Sequence, residues 1–299
     1  MAKQVRKAIL PAAGFGTRFL PQTKSFPKEM LPIVDKPVIQ KVIEELVDAG
    51  IKDVIIVTGY HKRAIEDHFD APNLDLIEIL RQGGEKKQHL IDEIYQIANL
   101  ANFVYVRQKG PYGNGTPMLN ASHLIGADEP FIYSWCDDFI DAEPQEFQQL
   151  INAYQKYDCP CLACIKATSD EDYNRYGFAG GKELEEGIID IETLIEKPGK
   201  ENSPSNLATV SGFLFTGEIF KYLEKVYKDL PDGKELYWND ALKLMLEDGK
   251  RVVAVEIKNS KYYDTGNKLG YLKTVVDFAL KHKSVGNEFR EYLKKLDLS

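Results

Sequence analysis

The apolar positions of this chain change period along its length. "KAILP" (7–11) and "DVIIVTG" (53–59) are short apolar runs that predict buried strands. Between them, "PVIQKVIEELVDAG" (37–50) sets Val38, Val42, Ile43 and Leu46 at helical spacing, with Pro37 suited to a first helical turn and Gly50 to a stop. Strand, helix, strand predicts a parallel crossover. The alternation continues with helices at "KRAIEDHF", "EKKQHLIDEIYQIANL" and "PQEFQQLINAYQKY" (144–157), and with extended segments at "NFVYVRQ" (102–108), "FIYSWCDDFI" (131–140) and "CLACIKAT" (161–168). Such a pattern predicts an α/β fold with a mostly parallel sheet and helices on both faces.

After about residue 168 the texture changes. "YGFAGG", "IIDIETLIEKP" and "NLATVSGFLF" predict strands joined by polar loops bearing glycine and proline, an antiparallel annex laid against the parallel sheet. "FTGEIFKYLEKVY" and "WNDALKLMLEDG" return to helix, "RVVAVEI" is a strand, and 267–296 is mostly helical. There Leu272, Val275, Val276, Phe278 and Ala279 form an apolar stripe for the core or for another subunit. No repeat or long linker divides the chain, so 1–299 is expected as one domain with parts at about 1–168, 169–266 and 267–299.

With 299 residues, 43% of them hydrophobic, the chain can bury a core of that size. The apolar run within Met1–Gly14 is short and broken by Pro11, and nothing elsewhere is long enough to span a bilayer, so a cytoplasmic protein without membrane contact is expected. Of four cysteines, three crowd into "CPCLAC", Cys159, Cys161 and Cys164. In an extended chain Cys161 and Cys164 face opposite sides, which is poor chelating geometry, so free thiols are expected. A net charge of −8 argues against a nucleic-acid partner. Residues 1–36 nevertheless carry seven basic residues against Glu29 and Asp35, a net of +5 that leaves −13 for the rest, and would draw a small polyanion.

Most of that charge lies in or beside "LPAAGFGTRFLPQTKSFPKEMLP" (10–32), a turn following a strand, where open α/β sheets bind ligands. Gly14 and Gly16 let backbone amides approach a ligand, and Arg18 and Lys28 offer positive charge to phosphate oxygens. The spacing is not that of a Walker loop, because the second glycine follows after one residue and Thr17-Arg18 succeeds it. It is not a dinucleotide fingerprint either, because Phe19 stands where a third small residue is needed. Alone, the glycine pair would be an ordinary tight turn.

"GFGTRFLPQTKSFPKEMLPIVDKPVIQ" resembles the sugar-1-phosphate nucleotidyltransferases, most closely the bacterial uridylyltransferase branch that acts on glucose 1-phosphate. Further matches occur at "VRQ" (106–108), Asp137 in "CDD", "YGF" (176–178), "IEKP" (195–198), "PSNLA" (204–208) and "DTGNKLGY" (264–271), nearly the whole chain. The resemblance implies a Rossmann-like sheet whose first part binds nucleotide, a small sugar-binding annex, and transfer of a uridylyl group from UTP to glucose 1-phosphate, giving UDP-glucose and pyrophosphate. It implies Arg18 and Lys28 as catalytic residues and Ala12, Ala13, Gly14, Gly16, Thr17, Gln108 and Gly113 around the nucleotide. Gly177, Glu196 and Lys197 fall to the sugar phosphate, and Asp137 and Asp264 to Mg2+, which favours one or two carboxylates plus phosphate oxygens. Asp138 is expected to face away from Asp137. A homo-oligomer is also implied.

The chemistry agrees with the residue inventory. A sugar phosphate is already an anion at neutral pH, so no general base is needed, and no His/Asp or Ser/His constellation stands out among five histidines. Three segments depart from the relatives: "GNGTPML" (113–119), Ser211-Gly212, and "ELYWNDA" (235–241). The last two are expected to reshape the sugar side. Other readings are a transferase for dTTP or another hexose 1-phosphate, and a non-catalytic paralogue that binds a sugar nucleotide. The intact set of charged residues counts against the paralogue.

Overall fold

The computed structural model describes residues 2–297 and centres on a nine-stranded sheet. Its strands are β1 (Lys7–Ala12), β2 (Asp53–Thr58), β3 (Asn102–Arg107), β4 (Pro130–Ser134), β6 (Cys161–Lys166), β7 (Gly177–Glu185), β8 (Ile188–Glu196), β9 (Leu207–Thr216) and β10 (Val253–Glu256). Strands β5 (Asp138–Ala142) and β11 (Ser260–Asp264) make a separate antiparallel pair. The helices are α1 (Val38–Asp48), α2 (Arg63–Phe69), α3 (Leu74–Gln82), α4 (Gln88–Ala98), α5 (Gly115–Asn120), α6 (Glu146–Tyr157), α7 (Ile219–Lys228), α8 (Trp238–Glu247), α9 (Lys268–Lys281) and α10 (Gly286–Leu293).

In space the sheet runs β3-β2-β1-β4-β9-β6-β10-β8-β7. The first four strands are parallel, with Ile9 opposite Ile55 and Ala8 opposite Ile132. From there the sheet is mixed: β9 runs antiparallel between β4 and β6, β6 and β10 are parallel, and β8 is antiparallel to both β10 and β7. The expectation of a mostly parallel sheet therefore fits one half only. Nor is the annex laid against the sheet. β9 lies at its middle, and the strands beyond it continue through β8 to β7, which pairs back on β9 with Phe178 opposite Ala208 and Gly177 opposite Thr209, so their backbone hydrogen bonds are shared within the sheet.

Alternation along the strands builds a core on each face. Leu10, Ile56, Ile132 and Cys161 pack with α1 and α6 on one side, while Ile9, Ile55, Phe131, Tyr133, Leu162 and Cys164 pack with α7 and α8 on the other. Cys161 and Cys164 thus point away from each other, and all four cysteines are buried free thiols. On α1, Val38, Ile39, Val42, Ile43 and Leu46 are wholly buried, each stabilising the fold by about 1.5–3 kcal/mol over an exposed position.

Local differences from the sequence reading have physical causes. "FIYSWCDDFI" is not one strand: it breaks at Trp135–Asp137 and its halves join different sheets. α3 was not anticipated, although Asn73 caps it by accepting from the Asp75 and Leu76 amides. On α9 the apolar stripe splits: Phe278 packs edge-on against Phe139 and Ala279 is buried, whereas Leu272 (59%) and Val276 (36%) stay exposed beside Leu269 (63%). Among the described residues no helix is long and apolar enough to cross a membrane.

Candidate active site

The carboxyl ends of β1, β2, β3 and β4 lie along one edge, and the basic loop starts there. Because it is rich in proline, residues 17–30 form three short 3-10 turns, Thr17–Phe19, Gln22–Lys24 and Lys28–Met30, instead of a helix. Gly16 has φ of 64°, and a Cβ there would stand 3.0 Å from the Lys28 Cβ, so glycine lets the two ends of the loop close on each other. The Thr23 hydroxyl donates to the Gly16 carbonyl at 2.7 Å, and Phe19 meets Tyr271 of α9 edge-on. Gly14 lies against the end of the Lys28 side chain, while Thr17 and Arg18 are exposed. Ala12 is buried at the end of β1, and Ala13 abuts Gly59 after β2.

Lys28 Nζ donates to Asp137 Oδ2 at 2.5 Å. Burial alone would lower the lysine pKa, but the charges of Asp137 and Glu29 outweigh it and hold the ammonium well above its ordinary value. Glu29 is itself wholly buried and paired with Lys62 at 2.7 Å. Its carboxyl is pushed up by burial, against the pull of Lys62 and Lys28. This pair fastens the Lys28 turn to the start of α2.

Asp137 is the last residue of the break between β4 and β5, and Asp264 ends β11. Both are held by the turn after Asp264: the Thr265 amide and hydroxyl donate to the Asp137 carbonyl, and the Gly266 amide donates to Asp264 Oδ1 at 2.8 Å. A Cβ on Gly266 would lie 3.1 Å from Asp264 Oδ1, 3.2 Å from Asp137 Oδ2 and 3.7 Å from Arg18 Nη1. Two carboxylates and the arginine therefore meet around one point that only glycine leaves open. Two hard oxygen donors with space between them suit a magnesium ion that takes its other ligands from phosphate and water. No third histidine, cysteine or acidic group completes a protein-only metal cluster among the described residues.

Asp138 does not face away. It lines the same recess as Arg18, Asp137 and Asp264, and its Oδ2 accepts from the Tyr262 hydroxyl at 2.7 Å. Burial, followed by the charge of Asp137, raises its pKa well above the ordinary carboxylate value.

Trp135, Tyr176 and Thr209 form the shared wall between this recess and a cleft of about 420 Å³. Gly177, Glu196 and Lys197 come together there, joined by Tyr237, Asp240 and Lys243 from around the start of α8. The Thr209 hydroxyl donates to the Gly177 carbonyl at 3.1 Å. Burial raises the Glu196 pKa, opposed by Lys197 and Lys243. Arg175, which the sequence reading passed over, also lines this cleft and pairs with Asp264 Oδ2. Its signal was an arginine directly before "YGF".

Gln108 and Gly113 stand outside this lining. Gln108 follows β3 and its amide donates to the Thr58 carbonyl at 2.9 Å, which keeps it on the strand-end edge. Gly113, with φ of 115°, packs so tightly on the Leu236 backbone that a Cβ would fall 2.2 Å from its carbonyl oxygen. Of the departing segments, 235–241 borders the cleft, and 113–119 reaches it through Asn114. Ser211 does not: it is buried, and its hydroxyl donates to Glu146 on α6 at 2.8 Å.

The nucleotidyl transferase family model matches residues 7–279. The chain is 43% identical to the UTP--glucose-1-phosphate uridylyltransferase of Bacillus subtilis, over 98% of each chain. Among solved structures, it is similar to a UDP-glucose pyrophosphorylase complexed with UDP-glucose, with TM-score 0.81 and 37% identity over 93% of this chain and all of that one. It is also similar to the UTP-bound UGPase from Acinetobacter baumannii, with TM-score 0.87 and 34% identity over 98% of this chain and all of that one.

Proposed function

Since the chain belongs to the nucleotidyl transferase family, we propose that it transfers the uridylyl group of UTP to glucose 1-phosphate, releasing pyrophosphate and UDP-glucose. The observation that carries this reading is the meeting of Lys28, Arg18, Asp137 and Asp264 beside Gly266, at the strand-end edge and next to the cleft of Glu196 and Lys197. In the reaction a phosphate oxygen of the acceptor forms a bond to the α-phosphorus of UTP while the bond from that phosphorus to the bridging oxygen of pyrophosphate breaks. The nucleophile is already ionised, so the protein's task is to bring two polyanions together and to neutralise them.

Arg18 and Lys28 take phosphate oxygens of the nucleotide, the loop from Ala12 to Thr17 wraps it, and Gln108 with the Gly113 turn faces the base. Lys197 takes the acceptor phosphate, and Glu196 accepts from sugar hydroxyls alongside the Gly177 backbone. Asp137 and Asp264 would hold Mg2+, which when bound supplies Lewis-acid neutralisation of phosphate charge. Within this reading the Rossmann-like half serves the nucleotide and β7–β9 the sugar, in a cytoplasmic enzyme. The exposed Leu269, Leu272 and Val276 support assembly of the chain with copies of itself.

The test is pyrophosphate release from a panel of nucleoside triphosphates crossed with hexose 1-phosphates, with and without magnesium. UTP with glucose 1-phosphate should be the fastest pair and should stop on chelation. A preference for dTTP or another sugar phosphate would replace the substrate assignment, and no release with any pair would leave a binding protein.

A further inference from the structure

Arg175 ties the two halves of the site together by an ion pair: it lines the cleft and pairs with Asp264 of the recess. Its backbone is on the sugar side: it follows the Asp172–Asn174 turn, and the next residue, Tyr176, accepts from the Lys197 amide at 3.0 Å. The turn is braced by Asp172, which accepts from the Thr168 and Ser169 amides, and by Tyr173 stacked on Phe178 at 4.5 Å. From this braced position the guanidinium lies over the Tyr176 ring and crosses to Asp264 on the metal side.

The protein alone therefore neutralises each of its two metal-site carboxylates with one side chain: Asp137 with Lys28, and Asp264 with Arg175. Asp264 Oδ2 is already engaged by Arg175 and by Asn267 Nδ2, while Oδ1 is turned toward Asp137 around the open point at Gly266. A guanidinium and a divalent ion on one carboxylate repel each other, so what favours the ion weakens the arginine. Arg175 is 38% exposed at its side chain and borders the same cleft as Lys197, so it has somewhere to go.

We infer that Arg175 is a stand-in cation that holds Asp264 in the metal-free protein and passes to the acceptor's phosphate when a divalent ion takes the carboxylate. The inference rests on the uridylyltransferase reading for the identity of the acceptor, but not for the exchange at Asp264. It would give the site an order of charge: once its hold on Asp264 is weakened, Arg175 would be free for the second polyanion. Planar, bidentate donation suits a phosphate better than a lysine would.

Two measurements on the full chain test it. The first is binding of Mn2+ alone, followed by electron paramagnetic resonance at fixed ionic strength. Arg175→Ala should bind Mn2+ about three- to fivefold more tightly than the parent, the scale of one half-exposed ion pair, and Arg175→Lys, which keeps the charge, should stay near the parent. The second is steady-state kinetics, in which Arg175→Ala should raise KM for glucose 1-phosphate about tenfold or more and move KM for UTP by less than about twofold. Unchanged Mn2+ affinity in Arg175→Ala overturns the exchange, and unchanged KM for the sugar phosphate overturns the acceptor role. If the parent turns over no uridylyl transfer, the substrate reading fails by itself, and the Mn2+ comparison still decides whether Arg175 competes for Asp264.

Discussion

The two ends of the cleft handle charge in opposite ways. At the phosphate end, acids and bases are already matched at contact distance: Lys28 on Asp137, Arg175 on Asp264 and Lys62 on Glu29. At the sugar end, Lys243 pairs with Asp240 at 3.3 Å, but Glu196 feels Lys197 and Lys243 without an ion pair to either. In the proposed reading, the difference follows from what each end must receive. A triphosphate brings its own charge and replaces one set of ionic partners by another, whereas sugar hydroxyls need acceptors that are free.

Breaking the phosphate end should have the larger effect. Lys28→Ala should lower kcat by about 10²–10³-fold, the usual loss for one donor to developing phosphate charge, while circular dichroism shows a folded chain. Near-normal turnover would remove the lysine from the site. Glu196→Gln should act on one substrate only, raising KM for glucose 1-phosphate about tenfold and leaving KM for UTP within about twofold. A change in both would mean that the ends do not divide the work.

The smallest effect sharpens the contrast by touching neither end. Glu146 lies beneath the sheet, where burial pushes its carboxyl well above the ordinary range even though Ser211 and the Ile140 amide donate to it. Its proton is retained in the folded state at a pH where the unfolded chain has lost it, so stability falls as pH rises above the usual carboxylate pKa toward the folded one. Glu146→Gln should therefore melt about 2 °C or more higher than the parent at pH 8. That gain should shrink as pH falls to about 4.5, with unchanged KM values throughout. An equal gain at both pH values would point to packing instead of ionisation.

How well each end could be read from sequence follows the same contrast. The basic loop is one contiguous segment, so its glycines, Arg18 and Lys28 announce themselves, as do the strands and helices of strong period around it. Asp137 and Asp264 could be nominated through the resemblance, in "CDD" and "DTGNKLGY". Arg175, whose one local signal is its place before "YGF", and Gly266 stand out less, because their contacts come from approach across the fold: Arg175 reaches a partner 89 residues away, and Gly266 matters only for what surrounds it. The same limit explains the sheet. Residues 207–216 read correctly as a strand, but local pattern cannot say that this strand inserts between β4 and β6. Ser211 misled for a related reason. Beside strands of the sugar side in sequence, its hydroxyl is directed into the opposite core, with φ of 60° at the bend.

The place of β9 also bears on how the molecule is made. A nascent chain that has emerged only as far as β6 has both central edges, β4 and β6, with unpaired amides and carbonyls, because the strand that joins them is encoded some forty residues later. A ribosome stalled before residue 216 would therefore display a sticky seam for chaperones or for other unfinished copies to find.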